Sequence, residues 1–186
     1  VPDLPARTPE LKAMRQSTVA VLAVAILANG RAPAAGADRV LPGPADGVRL
    51  AGRWFEEPMR RAVHGASRRL GEPSCAAVLD DFRDPAGRVL RERLEALDLQ
   101  ASEYARMVLF YDGSSDGPCR RPRVHAFTAP GSRVVRVCPS LGRLASAAPA
   151  TAEAIVIHEV LHTLGLEENP PSSEEITVAV ERRCRP

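Results

Sequence analysis

A chain of 186 residues, 45% of them hydrophobic, has enough apolar side chain for one domain with its own core and too little for two. The net charge is +2 and the basic residues are spread along the chain, which excludes the clustered basic face of a nucleic-acid-binding protein. Lys12 is the sole lysine; a chain this rich in Arg, Ala, Pro and Gly has the composition of a GC-rich bacterial genome, which speaks of origin and not of function.

Residues 1–37 read as an N-terminal extension plus a signal peptide that covers 14–37. Residues 18–28 (TVAVLAVAILA) are apolar, Lys12 and Arg15 precede them, and Ala35-Gly36-Ala37 closes the stretch. That order of basic, apolar and small residues directs secretion. Cleavage after Ala37 makes Asp38 the mature N-terminus, and Met14 reads as the initiator, with residues 1–13 lying upstream of it. An uncleaved anchor is the alternative, but the run falls well short of the roughly 20 residues that span a bilayer. The expectation is a secreted or periplasmic protein with no stable membrane insertion after cleavage. Residues 38–186 then form a single domain.

Four cysteines remain there: Cys75, Cys119, Cys138 and Cys184. An even count in an oxidising compartment predicts two disulfides, and of the three pairings we favour Cys75–Cys119 with Cys138–Cys184. No two cysteines have the C-x-x-C spacing of a zinc site.

In chain order, residues 38–53 read as an extended arm rich in Gly and Pro. Residues 54–70 read as a helix stopped by Gly71-Glu72-Pro73. Residues 75–82 fit either a strand or a short helix. Pro85 suits a first helical turn, and Leu90, Leu94 and Leu97 give 86–97 the spacing of an amphipathic helix. Residues 106–111 (RMVLFY) read as a buried strand and 112–117 as a loop. Residues 124–128 and 133–137 flank Pro130-Gly131, which suits a type II turn, so a β-hairpin is expected. A helix over about 150–164 follows, with Gly165 as its C′ residue, and Pro170 and Pro171 prevent its resumption. Ser172-x-x-Glu175 is a capping box opening a last helix, on which Ile176, Val180 and Cys184 share a face.

Residues 158–162 read His-Glu-Val-Leu-His. Histidines four apart on a helix lie about 40° apart around its axis, so both imidazoles reach one ion. Glu159 beside them is placed to act on a water bound there, which is the H-E-x-x-H zinc hydrolase pattern with Glu as general base. The surrounding AIVIHEVLHTLGL is apolar nearly all round, so the helix is buried, and burying two His and a Glu without a task is costly.

On these residues, HEVLHTLGLEENPP resembles the zincin metallopeptidases, and its HExxHxxGxx core is close to the metzincin version. That resemblance implies a turn at Gly165 and a third ligand six residues past His162, which is Glu168; metzincins have His or Asp there, and a carboxylate is a competent zinc ligand. The close likeness covers about 157–173. Two features depart from it: no Met follows Met107 to make a Met-turn, and 24 residues follow His162. The gluzincin plan instead implies a ligand from the last helix, where Glu181 lies 19 residues past His162. Against Glu181, Ile176, Val180 and Cys184 define the buried face, and Glu181 points about 100° away from Val180. Glu168 is preferred, Glu181 is the alternative third ligand, and Glu167 comes third.

Other residues carry weaker signals. His125 can bind an oxyanion or substrate but fits a packing role better. His64 reads as solvated. Tyr104 and Tyr111 each suit a transition-state hydrogen bond, with nothing to choose between them. Asp80-Asp81 and Asp112/Asp116 lack a calcium ligand ladder, and the Arg pairs at 60–61, 68–69 and 182–183 read as solvated faces. The strand over 133–137 resembles the zincin edge strand to which a peptide adds.

The expected fold is α+β and zincin-like: a small mixed or antiparallel sheet packed on helices, with the HExxH helix central. The expected protein is a monomeric zinc metallopeptidase acting on peptide or protein. His158, His162 and Glu168 hold Zn2+, Glu159 is catalytic, and no other cofactor or nucleic acid is involved. The alternatives are a non-catalytic, zinc-stabilised binding or regulatory protein, or a zinc hydrolase of a non-peptide amide.

Overall fold

The computed structural model describes residues 47–185. The signal peptide, the Met14 start and most of the extended arm lie outside them. The described chain is α+β, with a small four-stranded mixed sheet among helices. Among the described residues no helix is long and apolar enough to cross a membrane.

Helix α1 (Arg53–Leu70) forms as expected. Met59, Ala62, Val63, Ala66 and Leu70 are buried along it at helical spacing. The ambiguous stretch after it becomes two single helical turns, α2 (Pro73–Ala76) and α3 (Val78–Asp81). Helix α4 (Leu90–Glu95) is shorter than the 86–97 expectation. Asp84 explains this: its Oδ1 accepts the Ala86 and Arg88 N–H groups at 2.9 and 3.0 Å, Gly87 takes φ +80°, and Pro85 is spent in that turn. The RMVLFY strand also starts late. Arg106 and Met107 end helix α5 (Ala101–Met107), opened by a Gln100/Glu103 capping box, and strand β2 runs Leu109–Asp112.

Strand β1 (Val48–Arg49) pairs parallel with β2, β2 pairs parallel with β4 (Val134–Val137), and β3 (Ala126–Phe127) pairs antiparallel with β4. The hairpin is thus present. Gly131 has φ +79° and Ser132 N–H bonds Ala129 C=O at 2.9 Å, as the turn over Pro130-Gly131 requires. Its strands alternate, with Val135 and Val137 buried and Arg136 out. The strand order is β1-β2-β4-β3. Strand β4 is therefore bonded on both sides and has no free edge for an added peptide; the edge strands are β1 and β3, and β3 is the one that belongs to the hairpin.

Helix α6 (Pro139–Ala147), which composition alone does not signal, packs with α1 against α7 (Pro149–Thr163). Helix α8 (Ser173–Cys184) starts at the expected capping box, and Ile176, Val180 and Cys184 are buried on it. The Arg pairs are not all solvated. Arg69 ion-pairs with Glu153 of α7 and donates to Cys184 C=O at 2.8 Å, and Arg183 reaches Asp81 at 2.7 and 2.9 Å. His64 is exposed on α1 as expected.

The disulfides are Cys75–Cys184 and Cys119–Cys138, not the favoured pairing. Cys75 lies on α2, which packs on the end of α8, while Cys119 lies on the loop facing the end of β4. The first bridge closes a 109-residue separation and the second a 19-residue one. Loop-closure entropy gives about 5 kcal/mol for the long loop and about 3 kcal/mol for the short one. Non-reducing peptide mapping should return these two pairs. In urea denaturation, Cys75→Ser/Cys184→Ser should lose more stability than Cys119→Ser/Cys138→Ser, and the reverse order would overturn the assignment of the long bridge as the main staple.

Candidate metal centre

The site is built on the last turn of α7. Val156, Ile157, Val160 and Leu161 are buried on that helix, so its end sits inside the protein, where the final carbonyls need partners. Each one has a partner. Val160 C=O accepts Thr163 Oγ1–H at 2.7 Å, and Thr163 C=O accepts Tyr104 O–H at 3.0 Å. His162 C=O accepts N–H from Gly131 and Gly165, both at 2.9 Å, and Leu161 C=O accepts Leu166 N–H at 3.2 Å. The bonds from Gly165 and Leu166 are those of a Schellman cap, which needs the φ of +108° that Gly165 adopts. The hairpin turn and Tyr104 thus lock the helix end in place. Tyr104 is spent as a cap and Tyr111 is on β2 under Arg136, so neither tyrosine lines the site.

Reversal at Gly165 has two results. It turns Leu166 C=O back to His162 Nδ1 at 2.7 Å, and it brings Glu168 over the imidazole pair. Across the site, Thr177 of α8 presents Oγ1 to His158 Nδ1 at 3.1 Å. These bonds fix both tautomers. A carbonyl only accepts, so His162 Nδ1 carries the proton. Thr177 Oγ1 already donates to Ser173 C=O at 2.9 Å, so it accepts from His158 Nδ1–H. Both Nε2 atoms therefore present lone pairs, and they face each other at 3.0 Å.

Two lone pairs at that distance repel unless a cation lies between them. Glu168 Oε1 stands 3.5 Å from His162 Nε2 and 3.8 Å from His158 Nε2, so the three donors form a triangle with sides of 3.0, 3.5 and 3.8 Å. A point in its plane lies about 2.0 Å from every corner, the length of a zinc–nitrogen or zinc–oxygen bond. His158, His162 and Glu168 are the group of potential ligands that the described residues bring together. Two neutral imidazoles and one carboxylate, with each Nδ1–H held by an oxygen, fit zinc in charge, donor type and outer shell. The alternative ligand Glu181 is not brought there: it is half exposed on α8, 3.8 Å from Arg185, and lines a different cavity. Helix α8 does reach the site, one turn earlier, at Thr177. Sequence spacing offers no signal for that residue, because its role depends on how α8 crosses α7.

Glu159 is 6% exposed and opens on the same cleft of about 720 Å³. Among the described residues, buried side-chain polar atoms without a partner are Glu159 Oε2 and His125 Nδ1, and both residues line this cleft. His125 thus lines the same cleft as the imidazole pair. Native structures seldom leave such atoms unpaired without a functional reason. Glu167 lies on the cleft wall. Asp80 and Asp81 are taken by Arg91 and Arg183, and Asp112 accepts the Ser114 and Ala51 N–H groups, so neither acidic pair is a cation cage.

Burial drives the electrostatics. It depresses the His158 pKa to about 3, with His162 adding to the shift, which keeps the imidazole neutral. It raises the Glu159 pKa to about 8, with the Glu168 charge adding to the shift. Comparison with known proteins finds no matching family model, no matching curated protein and no matching solved structure.

Two outcomes follow. Thr177→Val removes the acceptor for His158 Nδ1–H and should weaken zinc binding about 10–100-fold while leaving the circular dichroism unchanged. Competition against a chromophoric chelator measures it, and equal affinity would refute tautomer locking by Thr177. The second concerns the metal-free protein. The folded pKa of Glu159 lies above its unfolded value, so its contribution is intact below pH 4.5 and lost as pH rises to about 8. Glu159→Gln should therefore raise the metal-free melting temperature progressively across that window and gain nothing at pH 4; a pH-independent difference would contradict the assignment.

Proposed function

We propose that the chain is an exported zinc metallopeptidase of the zincin type. The observation that carries this reading is the pair of tautomer-locked imidazoles aimed at one point, with a carboxylate on the third corner and a second, buried carboxyl one residue along the helix. Two disulfides accord with an oxidising compartment such as the periplasm or the exterior.

His158, His162 and Glu168 hold the ion. Zinc bound there acts as a Lewis acid toward the scissile carbonyl and acidifies water. Glu159 takes the proton of the attacking water as its oxygen bonds to the carbonyl carbon. It returns that proton to the amide nitrogen as the C–N bond breaks, so the carboxylate is regenerated. Burial raises the Glu159 pKa, and a carboxylate of higher pKa is the stronger base. The open edge of β3 lies along the cleft, where an extended peptide has backbone groups to pair with.

Zinc content by mass spectrometry, with casein and mixed-peptide cleavage, tests this. Wild type and Glu159→Ala should both retain zinc, and the variant should lose about 10²–10⁴-fold in turnover. Zinc in both with no cleavage by wild type would favour a zinc-stabilised binding or regulatory protein. Cleavage of simple amides without peptides would favour a non-peptide amide hydrolase, and absence of zinc would defeat all three.

A further inference from the structure

The cleft has two walls of unlike charge. One comes from α7, α8 and the turn after Gly165 and carries Glu159, Glu167 and Glu168. The other comes from the segment entering β3 and carries Arg121 and Arg123. Neither guanidinium group is hydrogen-bonded or ion-paired to another described residue, which they share with Arg68, Arg93, Arg120 and Arg143, and of these six only Arg121 and Arg123 line the cleft. A guanidinium stays charged at any working pH and is built to bind a carboxylate through two parallel bonds.

The segment carrying them is held at both ends. Cys119 is bridged to Cys138, whose N–H donates to His125 C=O at 3.0 Å, and Ser140 Oγ donates to Val124 C=O at 3.1 Å. Between these anchors Arg123 has φ +70°, a left-handed conformation that is unfavourable for a non-glycine residue. Strain of this kind survives where neighbouring structure imposes it, and it gathers at ligand clamps. The unpartnered His125 Nδ1 belongs to the same wall.

We propose that Arg121 and Arg123 form a carboxylate-binding subsite, so that the cleft selects peptides carrying an acidic side chain or a free C-terminal carboxylate at that end. This deepens the metallopeptidase reading and rests on it for the choice of a peptide. The Cys119–Cys138 bridge and the β3–β4 pairing fix the backbone that carries the two guanidinium groups.

The test uses the mature, zinc-loaded Glu159→Ala protein, which reads binding without turnover, and fluorescein-labelled peptides of one parent sequence. One has an internal Glu and an amidated C-terminus, one has Gln there and a free C-terminus, and one has Gln and an amide. In fluorescence anisotropy at low salt, at least one acidic peptide should bind about tenfold or more tightly than the neutral one, the gain of a charge-assisted hydrogen bond. Which acidic peptide gains tells an acidic side chain from a chain terminus. Arg121→Gln/Arg123→Gln should abolish the gain and leave neutral-peptide affinity unchanged, and Arg121→Glu/Arg123→Glu should reverse it toward a Lys-containing peptide. Equal binding of all three peptides, or a preference that survives both double variants, would overturn the subsite. Wild type that cleaves neutral and acidic peptides equally keeps the peptidase and removes the subsite. Selective binding without cleavage by wild type does the opposite.

Discussion

Two nitrogen lone pairs pointed at each other across 3.0 Å are the constraint on which this structure turns. Protonating one Nε2 would relieve the repulsion with an N–H···N bond, but both rings have their single proton committed elsewhere, to Leu166 C=O and Thr177 Oγ1. Protonating a second nitrogen on either ring would place a cation in a buried site, and burial already holds His158 neutral. The arrangement is therefore stable only if a cation from outside sits among the donors or if the surrounding framework is stiff enough to impose it. A cation bound there would share its free energy with folding.

The framework is stiff for reasons that run down to single bonds. Each carbonyl in the last turn of α7 has a donor: Thr163, Gly165 and Leu166 supply local ones, while Gly131 from the hairpin and Tyr104 from α5 come from distant parts of the chain. On the far side, α1 grips α7 through the Arg69–Glu153 pair, and the same Arg69 holds the end of α8 through Cys184 C=O. The Cys75–Cys184 bridge then ties that end to α2. Thr177 is on the same helix. The rigidity of α8 is thus what lets a single hydroxyl fix the tautomer of His158.

What the sequence disclosed follows the range of the physics. The His158/His162 pair, the Gly165 stop and the Ser172/Glu175 box are short-range features whose geometry is set within one turn, and each stands where its spacing placed it. The face defined by Ile176, Val180 and Cys184 was enough to turn Glu181 away from the core. Pairing of the cysteines was not legible, because it depends on α2 meeting the end of α8, a contact between residues 109 apart. Nor was the strand order: parallel β2 and β4 place β4 inside the sheet, and local alternation cannot tell an inner strand from an edge. Helix α6 does carry a local signal, Pro139 in its first turn with Leu141 and Ala145 buried on one face and Arg143 exposed, but over only nine residues. Thr177 was silent for a similar reason, being a common polar residue made significant by a helix crossing.

The division of labour within the cleft follows from the same anatomy. Groups suited to chemistry come from α7 and its reversal, where four consecutive capped carbonyls allow almost no movement. Groups suited to recognition come from the 118–130 stretch, which reaches the rest of the fold through one disulfide, a two-residue edge strand and hydrogen bonds at His125, Val124 and Thr128. Exchange of residues on that stretch leaves the tautomer-fixing bonds of His158 and His162 untouched, because neither passes through it. The one link that does cross is Gly131 N–H to His162 C=O. It lies at the hairpin tip, eight residues beyond Arg123, so the turn holds the end of α7 while the residues that would meet a substrate are free to vary.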